Sequence, residues 1–470
     1  MQRSITERRS NLKKNIIYIH THDSGKVLSP YGYDVPTPSL QAFAEESTLF
    51  RQAYCVGPTC SPSRAGLLTG MYPHSNGMYG LSQRGFKLHD YNQHLVNFLK
   101  SENYHTVLCG IQHEAGKYTD HEEAAQIIGY DKNISADNTD LTERELVEWD
   151  YENAYSVSEW LKNVDNDKPF FLSYGLFATH RKFPEEGFEG RQFDSKYVMP
   201  PTPLPENETV RDDYAGYLRS ATWFDRSFEV VIGTLKAEGL YENSIIIFTT
   251  DHGLAFPFGK CTLFDSGIGV SLIMRVPESV MNGEVVEGMV SQIDIFPTLC
   301  ELIDVEQPSY LQGVSFADMF KTKDLETREE VFAEINYHTS YEPARSIRTK
   351  RYKYIRFFDK GYLKVNRTNI DNSESKAFYH ENGLDQVAKP EEGLYDLLYD
   401  TGERNNLAED PEYLEVLEDM RRRLNAYQKK TDDPILNGHF DIRPEWKVNK
   451  KETYNPSSKD PEDYEVGQIR

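Results

Sequence analysis

Four short apolar runs, each leading into an ionisable residue, constrain this chain more than any other feature. They are Asn15 to Thr21 (NIIYIHT), His105 to Ile111 (HTVLCGI), Pro169 to Phe177 (PFFLSYGLF) and Ser244 to Thr250 (SIIIFTT). Each is rich in β-branched and aromatic residues and reads as a strand buried on both faces. Helical stretches separate them. Thr37 and Pro38 open one as N-cap and first helical residue, with Leu40 and Phe43 behind. Asp212 to Glu238 is a long amphipathic stretch that Gly239 can stop. Strands alternating with helices predict an α/β fold, a large mostly parallel sheet sandwiched by helices. Ligands of such sheets bind beyond the carboxyl ends of the strands. These strands lead into His22-Asp23, His113, His180 and Asp251-His252. One histidine at a strand end is more often structural; four such ends converging on one rim predict a site.

Beyond a charged stretch, Lys321 to Glu330, the pattern changes. Val331 to Ile335, Arg345 to Phe357 and Leu394 to Leu398 read as antiparallel strands, and Pro411 to Lys429 as a closing helix. The expected organisation is a catalytic domain over 1–335 and a smaller C-terminal α+β domain over 336–470. The last thirty or so residues are polar and read as surface wrapping or disorder.

The formal net charge of −23 excludes nucleic acid as a partner, because a phosphate backbone needs a basic surface. It does not exclude an anionic small substrate, since a metal with a few Lys and Arg makes one pocket locally positive. Five cysteines are too few and too odd a set for a disulfide framework. No run approaches a membrane span. The opening MQRSITERRSNLKK has no apolar core, so the chain as it stands predicts a cytoplasmic protein, and a periplasmic or secreted one where a leader precedes it.

Residues 60–70 read Cys-Ser-Pro-Ser-Arg-Ala-Gly-Leu-Leu-Thr-Gly. This is a helix start, with Ser61 as cap, Pro62 at the first helical position and Gly70 at the end. Cys60 then sits just before a helix N-terminus, where backbone N–H groups favour an anion. Arg64, one turn on, can fork onto oxyanions. From spacing alone, a buried cysteine before an ordinary capped helix is an equal reading.

The segment resembles the sulfatase signature Cys-x-Pro-x-Arg with a trailing Thr-Gly, in a family of the alkaline-phosphatase superfamily. Asp251-His252-Gly253 is similar to its second metal motif. Leu394-Tyr395-Asp396-Leu397 with Asp400, Glu403 and Asn406-Leu407 is similar to its C-terminal signature. Within the family the likeness is greatest to the heparan N-sulfatase (sulfamidase) branch, through His74-x-Asn76-Gly77-Met78-Tyr79-Gly80-Leu81 and Phe256-Pro257-x-Gly259-Lys260. The resemblance implies that Cys60 is oxidised to formylglycine by a formylglycine-generating (sulfatase-maturing) enzyme. One hydroxyl of the hydrated aldehyde attacks sulfur, and the second loses its proton to expel sulfate. It implies His113 as base, His180 and Lys260 on sulfate oxygens with one of them protonating the leaving group, and Arg64 holding the diol. It implies one divalent metal, most often Ca2+, held by His22, Asp23, Asp251 and His252 together with the modified Cys60. His338, Tyr341 and Arg345 are the implied sugar contacts, against the equal reading that Arg345 to Arg356 is a solvated basic strand face. The expected substrate is a sulfated saccharide, and a homodimer stays open.

Two positions depart from the family. His22 stands where most members have Asp, which puts both the ion's identity and His22's place among its ligands in question, because imidazole suits softer ions than calcium. Ile111 stands where a Lys usually precedes the base by two residues, and Gln112 is the neutral substitute. Three alternatives follow: an O-sulfatase on algal or other polysaccharides, a phosphonate or phosphodiester hydrolase of the same superfamily, and a non-catalytic sulfated-glycan-binding protein.

Overall fold

The computed structural model describes residues 13–465 except 117, 166, 186–192, 324–327 and 439–441. The first sheet contains β1 (Asn15–Thr21), β2 (Thr48–Tyr54), β3 (His105–Gly110), β4 (Lys132–Asn133), β5 (Phe170–Gly175), β6 (Ser244–Thr250), β7 (Gly269–Val270), β8 (Leu272–Arg275) and β9 (Val285–Ser291). Its order is β4-β3-β5-β1-β6-β8-β2-β7, with β9 also paired to β2. The four runs singled out above are β3, β5, β1 and β6. They are neighbours and all parallel, with Gly110 opposite Gly175, His20 opposite Gly175 and Thr21 opposite Thr250. Their carboxyl ends therefore reach one rim. The sheet is mixed rather than uniform, because β8 runs antiparallel to both β6 and β2.

Both faces of β1 are covered. Ile16 and Tyr18 enter one core cluster, Ile17 and Ile19 the other, and all are buried. Full burial of each such side chain contributes about 1.5–3 kcal/mol, which is why the runs carry no polar alternation. On the second face lie helices α1 (Pro38–Glu45), α3 (Leu146–Lys162) and α4 (Glu208–Ala237). Helix α4 starts four residues before the expected Asp212, since the Asn207 side chain accepts from Val210 N and caps it. Gly239 follows with φ 66°, the left-handed stop that was expected. Thr37 precedes α1 but does not cap it; its hydroxyl accepts from Ser29 N. The Asp225 carboxylate, reaching from α4, accepts from Ser39 and Leu40 N instead.

The second sheet is antiparallel, β10 (Glu330–Tyr337), β11 (Tyr341–Thr349), β12 (Tyr352–Phe357) and β13 (Glu392–Asp396) in that order. Helix α5 (Leu414–Lys430) packs Leu417, Met420, Leu424 and Tyr427 against one face of it. From the other face Ala333, Ile335, Ala344, Ile355 and Tyr395 join the core of the first sheet. The expected boundary between 335 and 336 falls inside β10, so the sheet change precedes Glu330. The expected linker includes 324–327, which lie outside the described residues. The polar tail is anchored where described: Arg84 donates to Lys447 O and to Asn449 Oδ1, and Val448 and Asn449 are buried. Among the described residues no helix is long and apolar enough to cross a membrane.

Candidate active site

The nucleophile segment forms helix α2 (Cys60–Thr69), which ends at Gly70 in the left-handed region. Cys60 is its first residue rather than the one before it. Thr59 holds the N-cap position without a side-chain bond, and Ser61 is not a cap: its hydroxyl accepts from Ser82 N at 2.9 Å. The Cys60 thiol thus stands at the amino end of a helix whose ten residues are all buried, at the floor of the rim. Ser63, one turn on, ties α2 to the end of β6 by donating to Asp251 O.

The strand ends build the walls. At the exit of β1, Asp23 takes φ 53° and its N–H donates to Asp251 Oδ1 at 2.9 Å. His252 N donates to the same oxygen at 2.9 Å. His22 Nδ1 lies 3.0 Å from Asp251 Oδ2 and 3.4 Å from Asp23 Oδ1, while its Nε2 meets His113 Nδ1 at 3.2 Å. His252 Nε2 lies 3.3 Å from Asp23 Oδ1. Lys260 Nζ is 3.2 Å from Asp23 Oδ2 and 2.9 Å from Asp371 Oδ2. His180 Nε2 stands 3.9 Å from Asp23 Oδ2, and with 27 % of its side chain exposed it is more open than His22 and His252, which are fully buried. All of the rim residues expected from the strand ends are thus brought together with Cys60.

The electrostatics divide these groups. Burial pushes the Cys60 thiol up, but the charges of Lys260 and His22 and hydrogen bonds from His113 and His22 outweigh it and hold the thiol well below its ordinary value. This is the signature of an anion-binding position. Burial lowers His113 to about 4, so its ring is neutral and free to accept a proton at neutral pH. Burial likewise lowers His180. His22 goes the other way: burial opposes its charge, yet Asp251 and Asp23 draw it well above the usual imidazole range.

That inversion is the fit test for a cation. Two buried carboxylates face one point, and His22 supplies the positive charge there. Donor atoms of His22, Asp23, Cys60 and Asp251 lie within 4.8 Å of one another. His252 Nε2 is buried with no hydrogen-bond partner, as expected of a nitrogen directed at an ion. The residues present fit a divalent ion, and His22 would join its donors only by giving up its proton, as a metal ligand must.

Other expectations need correction. Arg64 spends its donors on Asp251 Oδ2 at 3.0 Å, Thr21 O at 3.1 Å and His20, leaving only Nε unpaired, so it braces the carboxylate rather than residue 60. The Gln112 carbonyl accepts from Glu114 and Ala115 N, and its side chain also bonds Tyr118. Arg345 is fully buried. Asp433 takes its Nε and Nη2 at 2.7 and 2.8 Å, and Ile335 and Ala344 carbonyls take Nη1. It is neither a sugar contact nor part of a solvated face, because α5 and the turn after it cover that side. Tyr341 packs its ring 5.0 Å from Tyr337 in a buried cluster with Met78, Phe86 and Ile435, which makes it a core residue. His338 does belong near the site: the charges of Lys260, Asp371 and Cys60 act on it, and its Nδ1 is buried without a partner.

Three residues escaped sequence reasoning. His20 and Glu114 are buried beside Arg64, and Asp371 meets Lys260 from the C-terminal half. His20 lies on β1, one residue before its end at Thr21, and His22 follows in the bend beyond. No local pattern marks Asp371.

The rim of parallel strand ends thus gathers a helix-borne cysteine and two buried carboxylates, the disposition of an enzyme active site. The Sulfatase family model matches residues 14–305, and the model for the N-sulphoglucosamine sulphohydrolase C-terminal region matches 251–391. The chain belongs to the sulfatase family, hydrolases of sulfate esters or sulfamides. It is 28% identical over 436 residues to an ulvan-active sulfatase of Formosa agariphila, covering 90% of this chain and 81% of that one. It is 27% identical over 480 residues to the human N-sulphoglucosamine sulphohydrolase, covering 90% and 91%. Solved structures show the same fold. A 2-O GAG sulfatase superposes with TM-score 0.69 at 20% identity, covering 96% of this chain and 98% of that one. The phosphonate monoester hydrolase of Silicibacter pomeroyi gives 0.67 at 18%, covering 90% and 97%, so the fold alone does not choose the bond cleaved.

Proposed function

We propose that this protein removes sulfate from a sulfated saccharide through a formylglycine made from Cys60, with N-sulfated glucosamine as its substrate. The observation that carries the reading is the Cys60 side chain, first residue of a buried helix and hydrogen-bonded by His22 and His113. Modification of Cys60 by a maturing enzyme would place a geminal diol there, supplying an attacking hydroxyl and a second one for sulfate release. His22, Asp23, Asp251 and His252 would hold one divalent ion, calcium by family resemblance, whose chemistry is to polarise a sulfate oxygen and acidify the nucleophile. His113 takes the proton at residue 60, since its ring is neutral and within hydrogen-bond reach. Lys260 and His180 face sulfate oxygens, and the more open His180 is placed to give a proton to the departing atom. Arg64 acts through Asp251. An aromatic-walled cavity of about 1250 Å³ beside Lys260, lined by Phe258, Phe357, Phe378 and Tyr379, leaves room for the rest of a glycan.

Two expected results test the assignments. Because His113 stays neutral down to about 4, lowering the pH from 7 leaves the base intact until well below the ordinary imidazole value of 6.5. The acid limb of kcat/KM is therefore expected below pH 6 and is expected to be lost in His113→Asn; an acid limb that persists unchanged in His113→Asn contradicts the role. Elemental analysis of protein purified without chelator is expected to find one divalent ion per chain. Asp251→Ala loses it, and activity falls by more than the roughly 10–100-fold typical of outer-shell partners. Protein free of divalent metal yet fully active contradicts the site.

A second reading keeps the reaction and changes the sugar. The ulvan-active relative matches as well as the N-sulphoglucosamine one does, so O-sulfated algal polysaccharide is the alternative. Side-by-side sulfate release from N-sulfated glucosamine and from ulvan oligosaccharides separates them.

A further inference from the structure

Asp371 is out of place in a pocket for an anion. It comes from the irregular segment before the helix Glu374–Glu381, in the C-terminal half, and reaches the rim that the first sheet builds. Its Oδ2 is buried and lies 2.9 Å from Lys260 Nζ, but without the alignment of a hydrogen bond, so an acceptor is left unused. Lys260 stands between two carboxylates, Asp23 on the cation side and Asp371 on the other. The sulfuryl group enters between residue 60 and Lys260. A carboxylate against its oxygens repels it, so beyond its ion pair with Lys260 the carboxylate of Asp371 suits a part of the substrate that donates a hydrogen bond. The atom that leaves sulfur departs on the side away from the nucleophile. In a sulfamate that atom is a nitrogen carrying N–H, a donor. In a sulfate ester it is an oxygen with lone pairs only, which the carboxylate disfavours.

We infer that Asp371 is a specificity-determining residue that accepts the N–H of a sulfamate, favouring N-sulfated over O-sulfated sugars and holding the free amine after sulfate departs. This rests on the N-sulfoglucosamine reading above. His338, from the same half of the chain, adds a second unused buried atom at this edge, its Nδ1. A site built to pair with a substrate N–H rejects the analogue lacking it, because its own buried group is then left bare.

The test is Asp371→Asn, a near-isosteric change that removes the charge and keeps the shape. Sulfate release is followed from N-sulfated glucosamine and from 6-O-sulfated glucosamine, with thermal melting to show that the variant folds. The ratio of kcat/KM, N-sulfate over O-sulfate, is expected to fall by about 10–100-fold, the range for a hydrogen bond to a charged group. Equal losses on both substrates overturn the inference and leave Asp371 as a brace for Lys260. A second readout needs no variant: glucosamine is expected to inhibit wild type at least ~10-fold more tightly than 2-deoxyglucose, which has no donor at that position. Equal inhibition by the two overturns the inference even if Asp371→Asn fails to fold. A wild type that releases sulfate from the 6-O-sulfate but not from the N-sulfate sinks the N-sulfate reading itself, and this inference with it. A wild type that cleaves N-sulfate with the ratio unmoved in Asp371→Asn sinks only the inference.

Discussion

Replacing Cys60 with Ala is expected to abolish sulfate release, by about 10³-fold or more, the scale on which enzymes lose rate when a covalent nucleophile is removed. The thiol meets His22 and His113 in its buried corner, whereas Ser61 and Ser63 make the side-chain bonds that seat α2, and Gly70 ends it. Melting temperature should therefore change little while turnover disappears. Cys60→Ser is the sharper comparison. It restores a hydroxyl of similar size but offers only one, so it has an attacking group and no second hydroxyl to expel the bound sulfate. A single turnover without steady-state release is the expected result. Full activity in either variant, measured by free sulfate, contradicts the assignment of residue 60.

Asp433→Ala is expected to destabilise the protein by about 3–5 kcal/mol, the cost of leaving one member of a buried ion pair uncompensated. Arg345 is completely buried and gives Asp433 two hydrogen bonds, and among the described residues the other carboxylate paired with it, Glu334, is 3.8 Å away. Without Asp433 the guanidinium keeps its charge in a dry environment and has no route to water. Urea unfolding measures the loss. The double variant Arg345→Met with Asp433→Leu should recover most of it, since replacing both partners by apolar groups removes the desolvation penalty. Sulfate release per folded molecule is expected to survive in Asp433→Ala. A selective rise in KM without loss of stability would restore Arg345 as a sugar contact.

These two variants also mark where the sequence was legible. The four strands could be read because central parallel strands are buried on both faces, and that burial leaves an uninterrupted apolar signature in the chain. Their adjacency followed from chain logic, and so did the meeting of His22, Asp23, His113, His180, Asp251 and His252 at one rim. Cys60 was legible through its motif. The exact cap was not: Ser61 has the composition of a cap, yet its hydroxyl is claimed by Ser82 N, a partner 21 residues away. Arg345 misled for a related reason. A basic residue on a strand of alternating character reads as solvated, and only α5 together with Asp433, 88 residues on, makes that face interior. Asp371 was invisible because it lies on an irregular segment with no period, and its role exists only once the second sheet docks on the first. Residues placed by local periodicity were readable; those whose partner is supplied by a distant element were not.

The most direct test of the account is sulfate release from N-sulfated glucosamine by protein co-expressed with a formylglycine-generating enzyme. Intact mass first establishes that the thiol of Cys60 has become an aldehyde, and Cys60→Ala serves as control. The account predicts stoichiometric free sulfate and glucosamine from the wild type and none from the variant. No release of sulfate from protein shown to carry the aldehyde would contradict it.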